Sequence, residues 1–438
     1  MASPKDDNLV YDIQLSSVGP GHVTGPDAVH QLGSMDLAMK LHYIKGVYWF
    51  SSQAVGGLSI KNIREATFSW FDEYHMTCGR LKRSEGGRPY IKCNDCGARF
   101  VEAQCDKTVD EWVGMEDFAS YNDLLVYHEP IGPELSFSPL IFLQVTVFKC
   151  GGMSLGLSWA HILGDAFSAS EFINRLGHYI AGLSLNEPPK LPKTPSKSVK
   201  RDNPAQSVKQ PLSIKRVNPV GDLWVTENNC KMETISLHIS PAQLSNLQAK
   251  ISGENWNDFE CLCAIIWQSI AKFRGEFEPQ IVTIFKKDPS NQTGEWVPRN
   301  AQIICTVQAD FSVKEADLTK LAALLAEQGK DEISEIEVAV ERDNGVSDFV
   351  AYGARLTFVN LVDADMYGFE LKGEKPKMVY YSLQGVGDEG AVVVLPAGLE
   401  DSSGDKGRIV TVTLPEDEVL ELKSELMTCG LLLERELE

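Results

Sequence analysis

A histidine and an aspartate four residues apart, His161 and Asp165, are the side chains of this sequence best placed to do chemistry. They lie within residues 149–181, which read KCGGMSLGLSWAHILGDAFSASEFINRLGHYIA. An apolar strand leads to the histidine, a turn follows, and a helix begins at the aspartate. An imidazole at the exit of a strand can act as a general base, drawing a proton from an acceptor hydroxyl, amine or thiol. A group so positioned contributes typically 10²- to 10⁴-fold. Asp165 would hold the turn through an ion pair or hydrogen bonds. The competing reading is a buried, satisfied histidine at a strand end, and the spacing alone does not choose between the two.

Other candidate sites are weaker. Cys93-Asn94-Asp95-Cys96 has the spacing of a zinc or redox pair, yet the nearest further thiol is the single Cys105. A structural zinc site needs two more ligands at matching spacing, so no metal is expected and a strand–turn–strand hairpin is the reading. Cys261 and Cys263 fall in an apolar helix and read as buried thiols. No serine-hydrolase elbow of the Gly-x-Ser-x-Gly type is expected. Residues 385–390 (GVGDEG) hold glycines but no helix follows, which points to a hairpin turn rather than a phosphate loop.

The chain that must position these groups has 438 residues, 43% of them hydrophobic, enough for two domains of ordinary size. Its net charge is −20, from 41 basic and 61 acidic residues. Nucleic acid is therefore not an expected partner, since phosphate needs clustered Lys and Arg. A local basic stretch at 193–215 reads as solvated linker. Ten scattered cysteines and an N-terminus without a basic region and apolar core suggest free thiols in a reducing compartment and no signal peptide. No run approaches the roughly 20 apolar residues of a membrane span.

The Pro/Lys/Ser-rich segment 187–211 splits the chain near its middle. Before it, strands are expected near 13–18, 90–93, 99–102, 140–148 and 153–159, with helices over 58–81 and 165–181. The last two of those strands are joined by Cys150-Gly151-Gly152 as a hairpin. After it come an apolar helix over 257–274 capped by Asn257 or Asp258, a long amphipathic helix over 314–339, and a final helix over 416–427. Between them lie strands near 234–238, 281–285, 303–307, 356–359, 379–383, 391–395 and 409–414. Mixed strands and helices in both halves predict an α/β protein of two layered domains with mixed sheets.

Taken together, these pieces resemble the plant BAHD acyltransferase family, which transfers acyl groups from coenzyme A thioesters. The resemblance is carried by Cys150-Gly151-Gly152, then Leu155-Gly156-Leu157, then His161 to Asp165. It is also carried by Cys78-Gly79-Arg80-Leu81, and by Cys93-Asn94 with Gly97 and Phe100 to Ala103. Within the family the chain looks most like the eceriferum/glossy branch of cuticular wax proteins. That likeness runs through 35–50, 87–105, 127–142, 213–226 and 285–289.

The resemblance implies two similar chloramphenicol-acetyltransferase-like domains, 1–186 and 226–438, joined by a long crossover at 187–225. It implies a channel between them, open from both faces, with His161 as general base if the site is active and Asp165 as support of the turn. It implies acyl-CoA as substrate or ligand, with no cofactor or metal bound. From the branch it implies elongation of very-long-chain fatty acyl-CoAs with a condensing enzyme, a ketoacyl-CoA synthase, in wax synthesis. Such a protein would sit at the cytosolic face of the endoplasmic reticulum through its partner, or otherwise in the cytoplasm. The alternative is an active O- or N-acyltransferase using His161. Two departures stand out. The family's Asp-Phe-Gly-Trp-Gly reads Asp365-Met366-Tyr367-Gly368-Phe369, and the strand that carries that aspartate's arginine partner has Lys286 and Lys287 instead. Ala166 follows Asp165 where the family has glycine.

Overall fold

Alternation along the strands divides the interior in two. On Ala391–Glu400, Val392 and Val394 pack into one hydrophobic core, while Ala391, Val393 and Leu395 pack into another. Successive side chains of a strand point to opposite faces, so this strand must lie in a sheet covered on both sides. A computed structural model of the chain describes residues 9–115, 121–182, 210–251, 256–289, 297–327, 329–400 and 406–432.

Two mixed sheets carry the fold. The first has six strands in the order Val10–Val18, Ala98–Cys105, Ile141–Phe148, Met153–Ala160, Tyr43–Phe50 and Met378–Gln384. All its pairings are antiparallel except Ala98–Cys105 with Ile141–Phe148. Its last strand comes from the second half of the chain and pairs with Tyr43–Phe50 from Met378↔Trp49 to Gln384↔Tyr43. The second sheet has seven strands: Met232–Ile239, Lys406–Pro415, Ala391–Glu400, Leu356–Asn360, Ile281–Lys286, Ile303–Gln308 and Lys330–Asp331. Its central pairings are parallel and its flanks antiparallel. This is the expected two-domain α/β architecture with mixed sheets.

Helices cover each sheet. Asp258–Arg274, whose N-cap Asn257 accepts from the backbone of Phe259 and Glu260, buries Cys261, Cys263, Ile266 and Trp267 in the second core. Ala166–Ile180 lays Phe172 against Trp159 of the first sheet and against Trp70 of the helix Ile60–Glu73, with ring centroids 4.8 and 3.9 Å apart. The other core is continuous. It runs from the first sheet into the inward face of the second, taking in Phe285, Ile304, Tyr352, Val359 and Leu361.

Three expectations on local structure need correction. The predicted helix over 314–339 is two helices, Leu318–Ala326 and Ile333–Glu341, with the strand Lys330–Asp331 between them. Gly329 is the reason. A Cβ there would lie 2.7 Å from the carbonyl oxygen of Thr306, so only glycine lets the chain run close enough to pair Lys330 with Thr306. The strands around Cys93 and Cys96 do not pair with each other. Pro89–Lys92 belongs to a small sheet with Arg80–Arg83 and Val29–Gln31, and Ala98–Cys105 to the six-stranded sheet. The turn between them is held by the Arg80 guanidinium, which donates to the carbonyls of Gly79, Cys96 and Gly97. Nor is 385–390 a hairpin: it carries the chain from one large sheet to the other. Most of the expected linker, 187–209, lies outside the described residues.

Candidate functional site

His161 follows directly on Met153–Ala160 and opens a short 3₁₀ turn, His161–Leu163. The strand fixes its main chain, whose N–H donates to the carbonyl of His42 at 3.0 Å. Its carbonyl accepts from Asn300 Nδ2 at 2.9 Å, and the same amide donates to Asp36 at 3.0 Å. Gly164 then reverses the chain at φ 154°, where a Cβ would stand 2.8 Å from the backbone nitrogen of Arg299. The first lobe therefore meets backbone 299–301, which leads into the second sheet, at this turn.

Asp165 fastens that meeting. It is the N-cap of Ala166–Ile180, and its Oδ1 accepts from Ser168 N at 2.9 Å. Its Oδ2 accepts from Ala301 N at 2.9 Å, and its own N–H donates to Arg299 O at 3.2 Å. The carboxyl is buried, and that burial raises its pKa although the backbone donors favour the charged form. Asp165 thus accepts from backbone amides of both lobes next to the histidine turn.

The imidazole of His161 has no solvent exposure. Its Nε2 lies 2.8 Å from the hydroxyl of Tyr352. Nδ1 has no hydrogen-bond partner among the described residues. Burial lowers the pKa of His161 to about 4, offset only in part by its own main-chain carbonyl and by Asn300. The ring is a neutral base at physiological pH. His42, equally buried, stands beside it with ring centroids 6.5 Å apart, and burial followed by the charge of His161 lowers its pKa to about 3. His42 Nε2 accepts from Ala351 N at 2.9 Å, which fixes the main chain just before Tyr352. Tyr352 itself is wedged between His42, His161 and Phe285, with centroids 5.0, 5.4 and 4.6 Å away.

This departs from the expected channel open from both faces with the histidine inside it. A cavity of about 270 Å³ lies near the turn, lined in part by Leu41, Tyr43, His128, Trp224, Gly385 and Val386. A second, of about 460 Å³, opens beside the loop bearing Phe137. His161 lines neither. The cause is the shared core: Phe285, Ile304 and Tyr352 fill the seam with side chains. Residues from both lobes close it further. The buried Lys40 ammonium pairs with Asp348 at 2.7 Å, and Ser34 donates to Glu341 at 2.6 Å.

The other sequence signals fall away from this centre. Cys93 is buried and Cys96 exposed, and no group of metal-ligating side chains is found among the described residues. Gly152-Met153-Ser154-Leu155-Gly156 does spell Gly-x-Ser-x-Gly, against expectation. Ser154, however, is fully buried inside a strand, paired with Trp49 and Thr146, and is not on a strand-to-helix turn. Asp365, the retained part of the second signature, meets the helix Ala166–Ile180 that follows the histidine turn through its main-chain carbonyl, which accepts from Ser170 Oγ at 2.9 Å and Asn174 Nδ2 at 2.6 Å. Lys287 stands with its ammonium 5.9 Å from the ring centre of Phe167 on that helix. Ala166 is buried in the first turn. Sequence reasoning missed Tyr352, His42 and Asn300. No spacing marks them, because they reach His161 only through the fold.

Comparison with known proteins follows the same lines. The profile of the Transferase family matches residues 21–288. Protein ECERIFERUM 26 of Arabidopsis thaliana is 45% identical over 425 residues, which are 97% of this chain and 96% of that protein. Protein ECERIFERUM 2 of the same plant is 38% identical, over 95% of this chain and 98% of its own. Among solved structures, vinorine synthase superposes with a TM-score of 0.69 at 15% identity, covering 96% of this chain and 98% of that one. TRI101 of F. graminearum, complexed with coenzyme A and deoxynivalenol, gives 0.67 at 15%, over 92% and 97%. At such identity these two speak for the fold alone. The near-full-length identity to the ECERIFERUM proteins speaks for the family: this chain belongs to the BAHD acyltransferase family, in its eceriferum branch.

Proposed function

We propose that the protein promotes elongation of very-long-chain fatty acyl-CoAs together with a ketoacyl-CoA synthase in cuticular wax synthesis, and that His161 takes no catalytic part in it. The observation that carries this reading is the closure of the histidine. A base with no exposure, its Nε2 occupied by Tyr352 and its seam filled by a continuous core, meets no acceptor. The similarity to the ECERIFERUM proteins supplies the wax context. In this reading acyl-CoA is the ligand, and each buried CH₂ favours binding by about 0.8 kcal/mol, so a few carbons of apolar lining are enough to select length. The two lobes are 1–186 and 226–438 joined by 187–225, with Met378–Gln384 lent back to the first sheet. The working place is the cytosolic face of the endoplasmic reticulum, held by the partner. No helix among the described residues is long and apolar enough to cross a membrane.

A second reading is favoured by one distance. The 2.8 Å between His161 Nε2 and a hydroxyl is the spacing a general base needs to an acceptor, so an active O- or N-acyltransferase is the competing function. The two are separated by co-expressing His161→Ala with the condensing enzyme and measuring wax chain length. Retained long products, with co-purification of the two proteins, support the partner role. Their loss at unchanged protein level sinks it in favour of base catalysis.

A further inference from the structure

We propose that Tyr352 is a gate on His161: its hydroxyl holds the place on Nε2 that an acceptor hydroxyl would take, and its ring closes the seam, so that the general base is present but idle. Three observations support it. The contact joins residues 191 positions apart, one from each lobe, at 2.8 Å in a fully buried setting. The tyrosine is positioned rather than incidental. Ala351 N bonds to His42, Gly353 N bonds to Thr357 Oγ1 at 3.1 Å, and Gln302 Nε2 approaches the hydroxyl at 3.4 Å. The segment just before it is also tied down. Phe349–Val350 pairs with Lys215–Arg216, and Val217 N donates to Asp348 O at 3.0 Å. The gate therefore hangs on the same strand pair as the C-terminal end of the crossover.

With the gate removed, the chemistry that becomes open to His161 is an ordinary acyl transfer. Nε2 takes the proton of an alcohol or water. The oxygen forms a bond to the thioester carbonyl carbon, the carbon–sulfur bond breaks, and the imidazolium returns the proton to the departing thiolate. The products are an ester or free acid and CoA thiol. Tyr352 touches the base and not the acyl group, so it gates the reaction and is not a catalytic residue.

This inference is independent of the elongation reading, because its test uses the purified full chain with no condensing enzyme. Palmitoyl-CoA is supplied with 1-butanol in water, and free CoA and butyl ester are measured by chromatography. Wild type, Tyr352→Phe, Tyr352→Ala and Tyr352→Ala/His161→Ala are compared, each checked for a native near-ultraviolet spectrum. Tyr352→Ala opens space and is expected to release CoA at least tenfold faster than wild type. Tyr352→Phe keeps the packing and is expected to show a smaller gain. The double variant is expected to return to the wild-type rate. The proposal is overturned if folded Tyr352 variants show no gain, if the gain survives loss of His161, or if wild type is already active and Tyr352→Phe slows it. Should Tyr352→Ala not fold, Tyr352→Phe alone decides on the same criteria.

Discussion

Burial of His161 makes a quantitative statement about acid stability. Its pKa is about 4 in the folded protein against 6.5 for a free imidazole. The folded state therefore binds fewer protons than the unfolded chain between those values, and stability falls as pH drops through that window. The contribution is fully present above 6.5 and is progressively lost on the way to 4. For one such group the linkage relation gives a loss of about 2 kcal/mol between pH 7 and pH 5. His161→Gln keeps a polar side chain but does not titrate. The stability of wild type relative to this variant should therefore fall by about 2 kcal/mol over the same interval. The groups around the imidazole are Tyr352, Asn300, His42 and, along the turn, Asp165. Asp165 has a raised pKa and so opposes the effect in absolute curves, but it is common to both proteins and cancels in the difference. The measurement is urea unfolding followed by tryptophan fluorescence at pH 7, 6 and 5 and constant ionic strength. Wild-type and variant stabilities that run parallel within about 0.5 kcal/mol across that range would falsify the burial argument, since a solvated imidazole titrates alike in both states.

Two further outcomes follow from hydrogen bonds at the seam. Asp165→Ala removes a helix cap and leaves the N–H of Ala301 without its acceptor, so urea unfolding should show a loss of about 2–4 kcal/mol, and a loss below 1 would contradict the assigned bonds. Glu332 accepts from Leu212 N at 2.7 Å and Ser213 N at 2.8 Å, pinning the end of the crossover to the second lobe. Glu332→Ala should cost about 2–3 kcal/mol and speed limited proteolysis around residues 210–217, while an unchanged digestion pattern would refute the pinning role.

The sequence carried the elements whose signal is local. The hairpin before His161, the Asn257 cap and the apolar strands of the second half lie where alternation and turn chemistry predict. Asp165 was legible as a residue that bonds near the turn, and the structure shows its carboxylate bonded to Ser168 N and to Ala301 N. What could not be read is what depends on approach between distant segments. Gly329 weakens a helix locally, but the reason glycine is required there, the carbonyl of Thr306, is remote in sequence. The cysteine pair at 93 and 96 looked like a hairpin because nothing nearby says that its two strands enter different sheets. Met378–Gln384 has the pattern of a buried strand, yet no pattern tells it to cross to the first sheet. The open channel was an expectation from likeness, and Tyr352, Phe285 and Ile304 fill that space with apolar bulk that no motif announces.

The two signatures of the family meet different physical demands, and that explains how one is kept and the other changed. His161 and Asp165 act through side-chain atoms at fixed distances, so neither tolerates replacement without breaking a bond. Asp365 meets the same helix through its main-chain carbonyl, which every residue type carries. The donors are Ser170 and Asn174, both on the helix Ala166–Ile180 that follows the histidine turn. The pose of that helix therefore depends on the path of backbone 365 and on close packing after it, where a Cβ at Gly177 of the helix would stand 3.0 Å from the ring of Phe369 and a Cβ at Gly368 2.7 Å from Asn174 Nδ2. A segment reading Asp-Met-Tyr-Gly-Phe in place of Asp-Phe-Gly-Trp-Gly can therefore keep both main-chain bonds to the helix, provided its side chains still fit against Asn174 and Gly177. Closure then comes from elsewhere, from a tyrosine delivered by residues 349–353. On this account the shape of the histidine turn and the access to it are set by separate parts of the chain.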